Sequence, residues 1–282
     1  PSPVPAMPPS LSAGVFREFE RARIEQSIPA CFEQQVRERP AAMAVRTPTV
    51  SLTYEELNRR ANRLSARLRA ALGEGEEPVA LFFEQGVDAV IAILAVLKAG
   101  KFYLPLDTAE PAVRLAARLD HAGARLVLAP GAFVTGVREW AGPHRVTLAA
   151  DAEDAGSDDT DLSPPLAPDR LACLFYTSGS TGQPKGVMMT HKNIEHAATS
   201  ITTYLRMTPD DVVLSVLPLA FDYGLYQLLM CVKLGATLVL EKSFAFPQKV
   251  LPLLASEGVT GFPLVPTMAA MIVQLRSFKP EW

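Results

Sequence analysis

Long apolar runs are missing from this chain. The longest, Val87 to Leu97, is broken by Asp88 and closes at Lys98-Ala-Gly, short of the ~18–20 residues a membrane span needs. Cysteine is scarce. Cys31, Cys173 and Cys231 stand far apart, and an odd, scattered set is neither a disulfide framework nor a metal-ligand or CxxC pattern. Four histidines form no zinc pattern, since His191 and His196 are five apart, without the HExxH spacing. An excess of one charge is also lacking. The 27 Lys and Arg nearly balance 30 Asp and Glu, for a net charge of −3, which argues against a nucleic-acid partner. The first ten residues hold five prolines, without the basic start or apolar stretch of a signal peptide. These absences point to a reducing, cytoplasmic protein with no membrane association. What is present, 282 residues with 49 % hydrophobic and 20 % charged, is enough to build a sizeable core in one large domain or two modest ones.

The patterning reads as alternating strands and helices. Thr53-Tyr-Glu-Glu56 is a capping box, and Leu57, Ala61, Leu64, Leu68 and Leu72 follow on one helical face up to Gly73. Pro78–Phe83 is an apolar run of strand length. Val87–Ala99 reads as a buried helix, Phe102–Leu106 as a strand, Pro111–Ala122 as a helix and Arg125–Leu128 as a strand. The strands are continuous apolar runs without alternation, as in parallel sheets covered on both faces. After an acidic and proline-rich stretch the rhythm resumes. Strands are expected at Leu171–Tyr176, Val187–Thr190, Val212–Leu217 and Ala236–Leu240. A helix carries Ile194, Ala197, Ala198, Ile201 and Leu205 on one face, and another spans Tyr223–Leu234 before Gly235. Gln248–Ser256 is helical but disturbed by Pro252, Val259–Val265 extended and Thr267–Leu275 helical. The resulting division is a flexible tail over 1–14, a first α/β half over 15–150, a solvated linker over 151–169 and a second α/β half over 170–282.

One stretch carries chemistry: Tyr176-Thr-Ser-Gly-Ser-Thr-Gly-Gln-Pro-Lys-Gly186. It lies between two apolar strands. Thr177, Ser178, Ser180 and Thr181 offer hydroxyls. Gly179, Gly182 and Gly186 let successive N–H groups point inward as an anion-binding nest, and Lys185 adds a positive charge. It is not a Walker loop, because Lys185 stands between Pro184 and Gly186 and the loop joins two strands. Nor is it GxSxG, because Gly179 and Gly182 enclose Ser180 one residue too closely.

In order and length this stretch resembles the phosphate loop of the adenylate-forming superfamily, which includes acyl-CoA synthetases, luciferases and the adenylation domains of non-ribosomal peptide synthetases. Two further stretches agree. Leu52-Thr-Tyr-Glu-Glu-Leu-Asn58 is similar to the family's opening helix motif, and Leu97-Lys-Ala-Gly-Lys-Phe-Tyr-Leu-Pro-Leu-Asp107 to its peptide-synthetase LKAGxAYxPLD. The resemblance runs from about Cys31 to the end and leans toward amino-acid-activating members. It implies an α/β fold, the large N-terminal domain of these enzymes, with parallel-rich sheets flanked by helices.

It also implies a reaction. ATP with Mg²⁺ and an amino acid would form an aminoacyl-AMP, and the acyl group would pass to the phosphopantetheine thiol of a peptidyl carrier protein, or to coenzyme A. By resemblance, Thr177, Ser178, Gly179, Ser180, Thr181, Gly182 and Lys185 would hold the β- and γ-phosphates, with Lys185 the catalytic point charge on the departing pyrophosphate. Phe221-Asp222 matches the FD motif of amino-acid activators, whose aspartate pairs with the substrate's α-ammonium. The physical logic is that a carboxylate withdrawn from water needs a cationic partner. Read from the residues alone, Asp222 is a plain helix N-cap before Tyr223, and the resemblance turns the reading toward the amine anchor. Tyr223, Tyr226 and Phe262-Pro-Leu264 would line the acyl pocket. The FDYGLYQ wording departs from the commoner FDxS form and is similar to stand-alone ligases that load proline onto a carrier protein, so L-proline is the expected substrate. His191 is expected to be structural and His196 to lie on the surface.

The later signatures of the family are not found: no YGPTE-like stretch, no aspartate motif for the ribose and no small C-terminal domain with its lysine. The expectation is therefore an N-terminal fragment, truncated before the C-terminal domain, with no metal ligand of its own and inactive alone. Two other readings stand beside it, an acyl- or aryl-CoA ligase and a non-catalytic binding module that retains the loop.

Overall fold

The computed structural model describes residues 24–151, 160–161, 166–177 and 185–275. The tail expected over 1–14, most of the linker and Ser178–Pro184 lie outside the described residues. The elements in chain order are α1 (Ile28–Glu38), β1 (Met43–Arg46), β2 (Ser51–Thr53), α2 (Tyr54–Leu72), β3 (Pro78–Phe82), α3 (Val87–Lys98), β4 (Phe102–Leu106), α4 (Ala112–Ala122), β5 (Leu126–Ala129), α5 (Gly131–Ala141) and β6 (Val146–Ala149). Then come β7 (Leu171–Thr177), β8 (Lys185–Thr190), α6 (His191–Leu205), β9 (Val212–Ser215), α7 (Asp222–Leu234), β10 (Thr237–Leu240), α8 (Pro247–Val250), α9 (Pro252–Ser256) and α10 (Pro266–Gln274).

These strands form two sheets. The first is six-stranded in the order β6-β5-β3-β4-β7-β8, and the second four-stranded in the order β2-β1-β10-β9. Pairing is parallel except at the β1–β2 and β7–β8 edges. The α/β class with mostly parallel sheets is thus as the apolar runs implied. The sheets do not follow the division of the chain at 151–169. β1 and β2, from the first half, pair into the second sheet, and β7 and β8, from the second half, complete the first.

The local reasons are plain. Thr53 Oγ1 accepts the Glu56 N–H while the Glu56 carboxylate accepts the Thr53 N–H at 2.8 Å, the capping box read from the sequence. Every residue of α3 except Asp88 is buried, because α3 lies in the core cluster that joins both sheets through α2 and α7. A helix apolar on all sides belongs in such a place. The outer face of the first sheet is covered by α4 and α5, and that of the second by Phe244, Val250 and Met268. Pro252 splits the expected Gln248–Ser256 helix into α8 and α9.

Polar ties join the layers. Gln85, just after β3, donates through Nε2 to Glu241 O at 2.8 Å and Ser215 O at 3.4 Å, bridging from the first sheet to the second. Lys98 is buried and bonds to Glu33, Asn58 and Asp161. Asp161 also accepts from Asn58 and Asn62. This part of the acidic stretch is therefore exposed yet anchored to α2 and α3, where the sequence suggested only a solvated connection. Among the described residues no helix is long and apolar enough to cross a membrane.

Candidate active site

The chemistry-bearing stretch begins on the hairpin of β7 and β8, at the edge of the first sheet. Its last register pairs are Tyr176 with Gly186 and Thr177 with Lys185. Lys185 therefore stands exposed at the loop end of the hairpin, beside the strand that leads into the loop. Ser178, Gly179, Ser180, Thr181 and Gly182 lie outside the described residues. The strand below them is pinned from α4. His121 Nδ1 lies 2.6 Å from the Tyr176 hydroxyl, and the Arg118 guanidinium sits 5.6 Å from the Tyr176 ring centre. Nothing in the sequence pattern had singled out this support.

The second part is a pocket of about 730 Å³ beside the second sheet. One wall is α7, through Asp222, Tyr223, Tyr226, Gln227 and Met230. That spacing places them on one helical face. Facing it is the extended segment Thr260–Leu264, tied to β9 by the Leu214 N–H to Gly261 O bond at 2.9 Å. The structure thus brings together Asp222, Tyr223, Tyr226, Phe262, Pro263 and Leu264, all singled out from the sequence. Lys185 does not line this pocket.

The electrostatics of the lining are one-sided. Among the described residues, Asp211 and Asp222 are the charged ones in its lining, and no lysine or arginine lines it. Asp211 is already engaged, accepting from the Thr208 N–H at 2.6 Å and the Thr260 hydroxyl at 2.7 Å. Asp222 accepts from the neighbouring Tyr223 N–H at 2.7 Å. It is the first helical residue, and Phe221 is the N-cap without a side-chain bond. Asp222 is exposed, and this bond at the helix start stands beside its position on the pocket wall. Tyr226 is half-buried, and burial, with Cys173, Asp222 and Glu195 nearby, pushes its hydroxyl up to about 12, so it remains a neutral phenol.

Gly224 was not read from the sequence as a site residue. It is buried in the first turn of α7. A Cβ there would stand 2.6 Å from Leu217 O and closer still to Pro218 O. No spacing rule reveals this, because it depends on where the chain leaving β9 runs. His191 is buried at the start of α6, and its Nδ1 accepts the Ile28 N–H at 3.3 Å, which supports the structural reading. His196 is exposed. The three cysteines are buried and free. Burial raises all three thiols, Cys31 and Cys173 to about 12, so none is a ready thiolate. Among the described residues no three His, Cys, Asp or Glu side chains converge to hold a metal.

Comparison with known proteins bears on the family and the fold. Residues 32–281 match the family described as AMP-binding enzyme. Phosphinothricin tripeptide synthetase PhsB of Streptomyces viridochromogenes is 37 % identical over 253 residues, covering 88 % of this chain and 21 % of that protein. Gramicidin S synthase 2 of Brevibacillus brevis is 32 % identical over 274 residues, covering 94 % of this chain and 6 % of that protein. Among solved structures, the AMPPNP-bound non-ribosomal peptide synthetase FmoA3 superposes with a TM-score of 0.82 at 29 % identity, over 90 % of this chain and 27 % of that one. o-Succinylbenzoate CoA synthetase (MenE) from Bacillus subtilis, with its acyl-adenylate OSB-AMP, gives 0.81 at 26 % identity, over 91 % of this chain and 66 % of that one. The chain thus spans about a fifth of the length of the phosphinothricin synthetase.

Proposed function

The chain belongs to the AMP-binding enzyme family, and from that premise we propose that it forms the amino-acid-selecting and phosphate-binding part of an adenylation domain. The overall reaction joins an amino acid and ATP into aminoacyl-AMP with release of pyrophosphate. The acyl group then moves to the thiol of a carrier-protein phosphopantetheine. One observation carries the proposal: Asp222 stands on the pocket-facing side of α7 in a lining that, among the described residues, has two carboxylates and no basic side chain. Such a pocket attracts a cation, and an α-ammonium supplies one.

The chemistry follows from charge and placement. The substrate carboxylate must attack the α-phosphorus, an encounter of two anions. Asp222 would hold the ammonium, which fixes the carboxylate a short distance away and removes its freedom to rotate. Lys185, at the mouth of the hairpin, would offset the charge that develops on the leaving pyrophosphate. The N–H groups and hydroxyls of Thr177, Ser178, Gly179, Ser180, Thr181 and Gly182 would hold the β- and γ-phosphates. Magnesium would neutralise phosphate charge when bound. The described residues provide no cluster to ligate it, so no step here runs through it. Tyr223, Tyr226, Phe262 and Leu264 would receive the side chain. A pocket of about 730 Å³ among these residues is roomy for L-proline. The proposal is therefore for an α-amino acid, with proline the first to be tried.

Amino-acid-dependent ATP–pyrophosphate exchange on the complete gene product tests this reading. Exchange stimulated by one amino acid and lost in Asp222→Ala supports it. Exchange driven by a plain carboxylic acid, and spared in Asp222→Ala, favours an acyl- or aryl-CoA ligase, the reading that the likeness to MenE supports. No exchange with either, and no protection by ATP in hydrogen exchange of residues 176–186, favours a non-catalytic binding module.

A further inference from the structure

We infer that Gly224 is a positioning residue: its missing side chain lets the first turn of α7 settle on the chain leaving β9, and this seating sets where Asp222 stands in the pocket. The inference rests on the adenylation reading above and goes further, to the device that aims the carboxylate.

Glycine inside a helix is unfavourable, so a buried one calls for a reason. Gly224 has no left-handed φ, so conformational freedom is not the reason. Space is. An added Cβ would meet Leu217 O at 2.6 Å, and Pro218 O more closely. Both are backbone atoms, and no rotamer change can move them aside. Pro218 has a fixed φ, and its carbonyl also accepts the Phe221 N–H at 3.1 Å. The turn that receives the helix is therefore constrained from both ends. Asp222 and Tyr223 are the two residues just before Gly224, in the same helical turn. Any side chain at 224 pushes that turn away from the carbonyls and takes the carboxylate with it. Gly136, in α5, is the counterexample, with nothing within 4 Å of its added Cβ. Position 224 is also where Phe221-Asp-Tyr-Gly224 parts from the FDxS wording. The departure admits a seat closer than a serine tolerates on this backbone.

The test uses Gly224→Ala and Gly224→Ser in the complete gene product, with Gly136→Ala as control. The expected result is a fall of about 100-fold in kcat/KM for the amino acid, while KM for ATP changes by less than about two-fold. Hydrogen exchange should quicken at the amides of residues 223–227, and Gly136→Ala should change neither. A folded Gly224→Ala enzyme with unaltered amino-acid kinetics overturns the inference. If Gly224→Ala does not fold, Pro218→Gly loosens the same contact from its other side. Pro218 does not line the pocket, yet KM for the amino acid should rise while KM for ATP stays, and an unchanged amino-acid KM overturns the inference. A wild-type enzyme without amino-acid-dependent exchange would refute the adenylation reading instead. Hydrogen exchange then decides the seating alone: faster exchange at 223–227 in Gly224→Ala upholds it, and no change overturns it.

Discussion

Asp222 and Lys185 stand on supports of opposite character. Asp222 opens a helix whose body is buried from Leu225 through Val232, Tyr226 alone being half-exposed. At its far end the Tyr54 hydroxyl donates to Cys231 O at 2.9 Å and Ala236 O at 2.8 Å, and at its near end Gly224 sits against two carbonyls. Lys185 opens an edge strand whose first four residues are exposed, steadied through Tyr176 by a single histidine and a stacked arginine. The difference teaches how the work is divided. The side proposed to choose the substrate is set by packing, where small displacements are costly. The side proposed to handle phosphate would rely on charge and backbone N–H groups, which act over longer range.

The largest effects should come from the two charges themselves, and they should differ in kind. Asp222→Ala is expected to lower kcat/KM for the amino acid by about 100-fold or more, because the ammonium then enters the pocket without its partner. Lys185→Ala is expected to lower kcat by about 100- to 1,000-fold while the amino-acid KM stays. Steady-state kinetics with each substrate varied in turn separates the two. Equal effects on both substrates in both variants would erase the distinction between the supports.

Acid should loosen the phosphate side first. His191 follows β8 directly and holds α1 through the Ile28 N–H. Burial, with Arg170 nearby, lowers its pKa from 6.5 to about 4. The unfolded chain takes up this proton near the ordinary value, and the folded chain resists it until about 4. The contribution of neutral His191 is therefore complete above pH 6.5 and lost as pH falls toward 4. The shift corresponds to stability on the order of 3 kcal/mol. Urea unfolding at pH 7.5 and pH 5 should show the decline, and His191→Gln should flatten it. Tyr54→Phe, on the other support, removes the O–H that reaches Ala236 O and Cys231 O, the latter keeping its Gly235 and Ala236 N–H donors, and should cost about 1 kcal/mol at either pH. The smallest effect belongs to Gly136→Ala, which fills open space in α5 and should raise stability by up to about 1 kcal/mol, read from the thermal midpoint.

Much of this architecture was legible where side-chain periodicity is strong. The Thr53 capping box, the all-apolar α3 and the α7 stretch stand within a residue or two of their expected bounds. What escaped has physical reasons. β1 and β2 are four and three residues long, too short for a period to show. α5 begins at Gly131, contains Gly136 and ends before Gly142, a composition that conceals a helix. The capping box of Thr190 with Asn193 lacks the glutamate or glutamine that marks such boxes in a sequence.

The candidate site divides the same way. The hydroxyl- and glycine-rich loop announces itself, since its chemistry resides in residue types at consecutive positions. The pocket does not, because Thr260–Leu264 is set opposite α7 by its pairing with β9, and the demand for glycine at 224 arises from carbonyls six and seven residues earlier. The tyrosines were legible as residues of the pocket's helix, but the width of the space they face was not.

The central claim is that Asp222 anchors the amine of an amino-acid substrate. The most direct test is ATP–pyrophosphate exchange on the complete gene product, run with an amino-acid panel and with the matching des-amino acids, in wild type and Asp222→Ala. Wild type should respond to one α-amino acid and not to its des-amino analogue, and Asp222→Ala should lose this response. An enzyme that exchanges equally well with the des-amino acid, and keeps that activity without Asp222, would contradict it.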